Sequence, residues 1–77
     1  MTLTIYRTDR LYGRRLFQDL RQARDKSHAI GILSKLQSRH AENTRPFHRE
    51  VERPGVTVLF FFDEISYISY VGYLTKS

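Results

Sequence analysis

The chain has 77 residues, no cysteine and no tryptophan, 13 Lys+Arg against 8 Asp+Glu, and 40% hydrophobic residues. A chain this short buries only about 60% of its unfolded surface, so it is expected to form one domain, residues 1–77, resting on a small apolar core or on an oligomer. Disulfide staples, thiolate zinc sites and cysteine nucleophiles are excluded together, and a formal charge of +5 points to polyanionic partners while saying nothing about fold.

Leu3-Thr4-Ile5-Tyr6-Arg7-Thr8 alternates apolar with polar and is rich in β-formers, which predicts a half-buried strand over residues 2–7. Tyr12, Leu16, Leu20 and Ala23 then recur at four- and three-residue steps, the spacing of a core-facing helical stripe. A first helix is therefore expected from residue 9 or 14 to 25, with Gly13 blurring its start. Asp25-Lys26-Ser27 offers caps for a second helix over 27–40, whose apolar face is Ala29, Ile30, Leu33 and Leu36. Residues 40–46 are polar and end in Pro46, so they are expected to form a loop. The remainder predicts an antiparallel meander: a strand over 47–53, the turn dipeptide Pro54-Gly55, an apolar strand over 56–62, a turn at Asp63-Glu64 and a last strand over 65–75. The expected architecture is α+β in the order β-α-α-β-β-β, a helical hairpin packed on a small antiparallel sheet.

No apolar run approaches the roughly 18 residues of a membrane helix, and Met1-Thr2-Leu3-Thr4-Ile5 lacks a basic region followed by a long apolar one. A cytoplasmic protein without a membrane partner is expected. His28, His40 and His48 match no metal spacing, and phosphate loops, dinucleotide glycine patterns and serine nucleophile elbows are missing, so neither a metal nor a cofactor is expected.

The arginines carry the chemistry. On the expected first helix, Arg10, Arg14, Arg21 and Arg24 fall on one side, away from Leu16, Leu20 and Ala23, as a phosphate-binding stripe would; a solvated face tied to Asp9, Asp19 and Asp25 is the alternative. Arg45, Arg49 and Arg53 share one face of the third predicted element with Phe47 and Val51, while His48, Glu50 and Glu52 take the other. A histidine among arginines can move a proton on a phosphodiester whose charge the guanidiniums stabilise. Both faces of the last two strands are apolar: Phe60 and Phe62 share one, and Phe61 takes the other. Phe60 and Phe62 are assigned to the core. The second face is left exposed or for a partner, and Tyr67 and Tyr73 on one side of the last strand, or Tyr70 on the other, could stack bases. A homodimer or an obligate partner follows from the same excess of apolar surface.

Residues 50–64, with their Arg53-Pro54-Gly55 turn and Val56-Thr57-Val58-Leu59-Phe60-Phe61-Phe62 strand, and residues 71–77, Val71-Gly72-Tyr73-Leu74-Thr75-Lys76-Ser77, resemble the closing meander of RelE/HigB-type toxins. The resemblance implies a compact sheet with a helical hairpin and cleavage of mRNA, usually on the ribosome, held in check by an antitoxin. Carried onto this sequence, it implies His48 as proton carrier, Arg49 and Arg53 as charge stabilisers, and Tyr73 or Lys76 near the C-terminal functional positions. The chain departs from the family after Gly55, where Val56 and Thr57 replace a basic residue. The expected function is thus an RNA- or ribosome-directed, toxin-like module, possible endoribonuclease, of a toxin–antitoxin or mobile-element system. The alternative is a non-catalytic phage- or plasmid-type protein that grips a host protein through its aromatic sheet.

Overall fold

The computed structural model describes residues 1–9, 14–39, 47–62 and 68–76. Its elements are β1 (Thr2–Asp9), β2 (Arg14–Gln22), α1 (Lys26–Ser38), β3 (Phe47–Arg53), β4 (Val56–Phe62) and β5 (Ile68–Thr75). The five strands form one antiparallel sheet in the order β2-β1-β5-β4-β3, and α1 packs on one face of it, over β5 and β4.

The order is therefore β-β-α-β-β-β, and the expected helical hairpin is corrected: residues 14–22 form a strand, not a first helix. Leu16, Leu20 and Ala23 fit a helical stripe in isolation, but β1 lies inside the sheet and exposes a row of N–H and C=O groups on each side. β5 satisfies one row. The next segment in sequence satisfies the other, pairing from Thr2↔Gln22 to Asp9↔Arg14 with a bulge where the register shifts between Arg7 and Thr8. Pairing overrides a weak local preference, as is usual for segments judged by side-chain pattern alone. Ala23 ends the hairpin: its N–H donates to the Met1 carbonyl at 2.9 Å, and the Met1 ammonium donates to the Ala23 carbonyl at 2.9 Å.

The predicted second helix is present as α1. Asp25 caps it, accepting from the His28 N–H at 2.8 Å, while the His28 ring Nδ1 accepts the Arg24 N–H at 3.0 Å. Side chains thus satisfy two N–H groups at the helix entrance, in the manner of a capping box. Ala29, Leu33 and Leu36 point into the core, where they meet Leu3, Ile5, Leu59, Phe61, Tyr70 and Leu74. Gly72 lets the two layers approach. A Cβ at that position would stand 2.7 Å from Leu33 Cδ1 and 2.9 Å from Leu3 Cδ1. Pro54 and Gly55, the latter at φ +78°, close the β3–β4 hairpin with the backbone that a proline–glycine turn favours.

Register assigns the sheet faces. Directly paired residues share a side, so Glu50, Leu59, Gly72, Ile5 and Asp19 form one row beneath the helix layer, and Val51, Val58, Tyr73, Thr4 and Leu20 form the adjacent row on the opposite, open face. The core assignment within β4 is accordingly corrected. Phe61 is 2% exposed under the helix layer, whereas Phe60 lies half-buried on the open face.

Candidate nucleic-acid interface

No α-helix among the described residues covers the open face. Toward the β3 edge of this face lies a depression of about 370 Å³ lined by Arg49, Val51 and Arg53 of β3, Val58 and Phe60 of β4, and Tyr73 of β5. One interstrand step further, Tyr6 of β1 meets Tyr73 edge to face, with ring centroids 5.7 Å apart and planes at 82°. The two residues are diagonal neighbours across the β1–β5 ladder, a position from which aromatic rings readily touch. Leu20 extends the apolar strip to the β2 edge and is 64% exposed.

Alternation along β3 separates its charges. Arg49 and Arg53 stand on the open face with Val51, as the strand pattern predicts, and His48, Glu50 and Glu52 stand on the helix side. The acidic pair is engaged there: Lys26 Nζ lies 2.7 Å from Glu50 Oε2 and 3.9 Å from Glu52 Oε1, and the Thr57 hydroxyl donates to Glu52 Oε2 at 2.9 Å. The hydrogen bond from Lys26 holds the Glu50 carboxyl below its ordinary 4.5, and the same bond raises the Lys26 ammonium above its ordinary 10.5. Among the described residues, neither Arg49 nor Arg53 belongs to an ion pair. The positive charge of β3 is thereby directed to the open face and its negative charge to the other.

Arg53 also lines a second depression, of about 370 Å³, at the end of the sheet, together with Glu52, Gly55, Thr57 and Lys76. The strand ends explain this: Arg53 pairs with Val56, Val56 with Thr75, and Lys76 follows. Basic side chains thus run from Arg49 through Arg53 toward Lys76 around one corner of the sheet.

The structure divides the catalytic set inferred from the sequence. Arg49, Arg53 and Tyr73 share the open-face depression, but His48 lies on the opposite side, stacked on Phe61 with ring centroids 4.8 Å apart and planes at 20°. The sheet separates its imidazole from the two guanidiniums. The arginine stripe has no helix to carry it. Arg21 sits on β2 with its Nε 2.9 Å from Asp19 Oδ2, which holds the Asp19 carboxyl below its ordinary 3.8, and Arg24 is exposed ahead of α1. Arg14 is placed through its backbone in β2, opposite Asp9. Arg10, Arg45 and Tyr67 lie outside the described residues. Tyr70 is 4% exposed in the core and offers no stacking surface. Tyr6 and Phe60 are surface aromatics that the sequence does not single out: alternation sets them on the other side from Ile5 and Phe61, and the position of α1 decides that theirs is the open side.

No protein-family model, no curated protein and no solved structure matches the chain. The described residues contain no helix long and apolar enough to cross a membrane, and no group of three His, Cys, Asp or Glu side chains able to hold a metal ion.

Proposed function

We propose that the chain is an RNA- or ribosome-directed binding module of toxin-like type, from a toxin–antitoxin or mobile-element system, and that it takes RNA on the open face of its sheet. The observation that carries this reading is the pair Arg49 and Arg53, free of ion pairs among the described residues and lining one depression with Phe60 and Tyr73. Guanidinium forks suit phosphate, and aromatic faces suit bases. Glu50 and Glu52, which would repel phosphate beside the arginines, are turned away and held by Lys26. The resemblance of residues 50–64 and 71–77 to RelE/HigB-type toxins supports the same direction. Chemistry on the phosphodiester would draw on Arg49, Arg53 and Tyr73, because a general base must reach the proton it removes and His48 faces away.

Binding of a labelled single-stranded RNA to the protein and to its Arg49→Gln/Arg53→Gln variant tests the proposal. The variant is expected to bind more weakly, and its slope of log affinity against log salt should flatten by about 1.4 for two lost phosphate contacts. Equal affinity and slope in the two proteins would refute it. Expression with a growth readout, followed by primer extension on total RNA, checks the toxin-like part, for which arrested growth is expected.

Leu20 favours a second reading, in which a protein, an antitoxin, host protein or second copy, covers the apolar strip. That association would survive nuclease and high salt in a lysate pull-down.

A further inference from the structure

We infer that the RNA taken by this face is unpaired, with two of its phosphates on Arg49 and Arg53 and a base stacked on Tyr73, whose ring Tyr6 holds in place. The inference rests on the RNA-binding reading and names the form of RNA that the surface selects.

Arg49 and Arg53 are four residues apart on one face of an edge strand, so their Cα atoms are separated by roughly 13 Å. That spacing gives each guanidinium room for a phosphate of its own along one extended strand. A nucleic-acid backbone that touches both must run along β3. Its bases then lie either beyond the sheet edge, in water, or inward over β4 and β5. Inward is where the aromatic surface is. Tyr73 shares a row with Val51, midway between the two arginines, and stands two strands in, roughly 10 Å from β3. Phe60 lies between, in the row of Arg49. A nucleotide bridging the arginines is thus positioned to lay its base over Phe60 and Tyr73.

Tyr73 is a prepared platform. Val58 on one side and the perpendicular Tyr6 ring on the other limit its rotation, so less side-chain freedom is lost when a base settles on it. Tyr6 acts here as a positioning residue.

A duplex cannot use this arrangement. Its base faces are already stacked on one another, and the deep, narrow major groove of A-form RNA does not admit side chains. It could offer phosphates to the arginines and nothing to the tyrosine. An unpaired strand offers both.

The test compares a fluorescein-labelled oligouridylate, the same strand with abasic sites, and a duplex of matching length, each titrated against the native chain, Tyr73→Leu, Tyr73→Phe and Tyr6→Leu, with circular dichroism checking that each variant keeps its fold. The native chain is expected to prefer the oligouridylate over both other probes. Tyr73→Leu should weaken oligouridylate binding roughly 5- to 150-fold, the worth of one stacked base, with little effect on abasic strand or duplex and an unchanged salt slope. Tyr73→Phe retains the ring and should restore most of the loss, and Tyr6→Leu should show a smaller loss confined to the base-bearing strand. Duplex binding as tight as single-strand binding, or oligouridylate affinity indifferent to Tyr73→Leu, would overturn this inference and leave the RNA-binding reading standing. Failure of all three probes to bind would overturn that reading itself.

Discussion

Replacing Gly72 with alanine adds one methyl group to β5 where Leu33 of α1 packs against the strand. The new carbon would lie 2.7 Å from Leu33 Cδ1 and 2.9 Å from Leu3 Cδ1, and both leucines are fully buried. Carbon atoms rest at about 3.5–4.0 Å, so each leucine must retreat by something under about 1 Å into a core that is already filled. Overpacking of this kind costs about 1–3 kcal/mol, and the stiffer unfolded chain of the alanine variant returns about 0.4–1 kcal/mol. The net loss of about 1–2 kcal/mol corresponds to a melting point lowered by about 5–15 °C in a domain of this size. Gly31 is the control. It is exposed in the middle of α1 with nothing within 4 Å of its own added Cβ, and Gly31→Ala should raise stability by about 0.5–1 kcal/mol. The same chemical change thus has opposite signs at two sites, and thermal unfolding followed by circular dichroism reads both. A Gly72→Ala protein that melts at or above the native temperature would refute the packing account. RNA binding below the melting transition should be unaffected, because the added methyl faces away from Tyr73 and the arginines.

Asp25→Ala removes the cap of α1 and should cost about 1 kcal/mol in thermal or denaturant unfolding, with Asp25→Asn retaining most of it. The Lys26–Glu50 link should show as a pH dependence: the Glu50 carboxyl is depressed in the folded chain, so its contribution is full above the ordinary carboxylate value and lost as pH falls through the folded value. Melting curves of the native chain and Lys26→Met should therefore converge in strong acid. The raised Lys26 ammonium works in the other direction, contributing below its ordinary 10.5 and losing that contribution as pH rises through the folded value.

The meander was legible because its signals are short-range. Pro54-Gly55 sets a two-residue turn, and the turn sets the register that puts Arg49, Val51 and Arg53 on one face. The α1 segment was legible for a similar reason, since Asp25 and the spacing of Ala29, Leu33 and Leu36 are local. β2 was not. Its residues become a strand because β1 needs a second neighbour, and that need follows from the pairing of β1 with β5 across most of the sequence. The assignment of Phe60 rather than Phe61 to the core failed for a related reason. Alternation shows that the two differ in side, but only the position of α1 shows which side is inside. The candidate site suffered least where it depended on one strand, and most where it assumed that His48 could join residues of opposite parity.

The placement of β1 also governs how the protein is made. Its outer ladder to β2 can close once Gln22 has left the ribosome, but its other ladder, from Thr2↔Thr75 to Asp9↔Ile68, waits for β5. At about 5–20 residues per second the intervening stretch takes some 3–10 s to synthesise. During that interval the β1–β2 hairpin carries one unpaired edge and the uncovered apolar side chains Leu3 and Ile5, which are features that invite a strand from another chain. Newly made protein is therefore most vulnerable to aggregation before β5 emerges, and its soluble yield depends on keeping nascent hairpins apart until β5 completes the sheet.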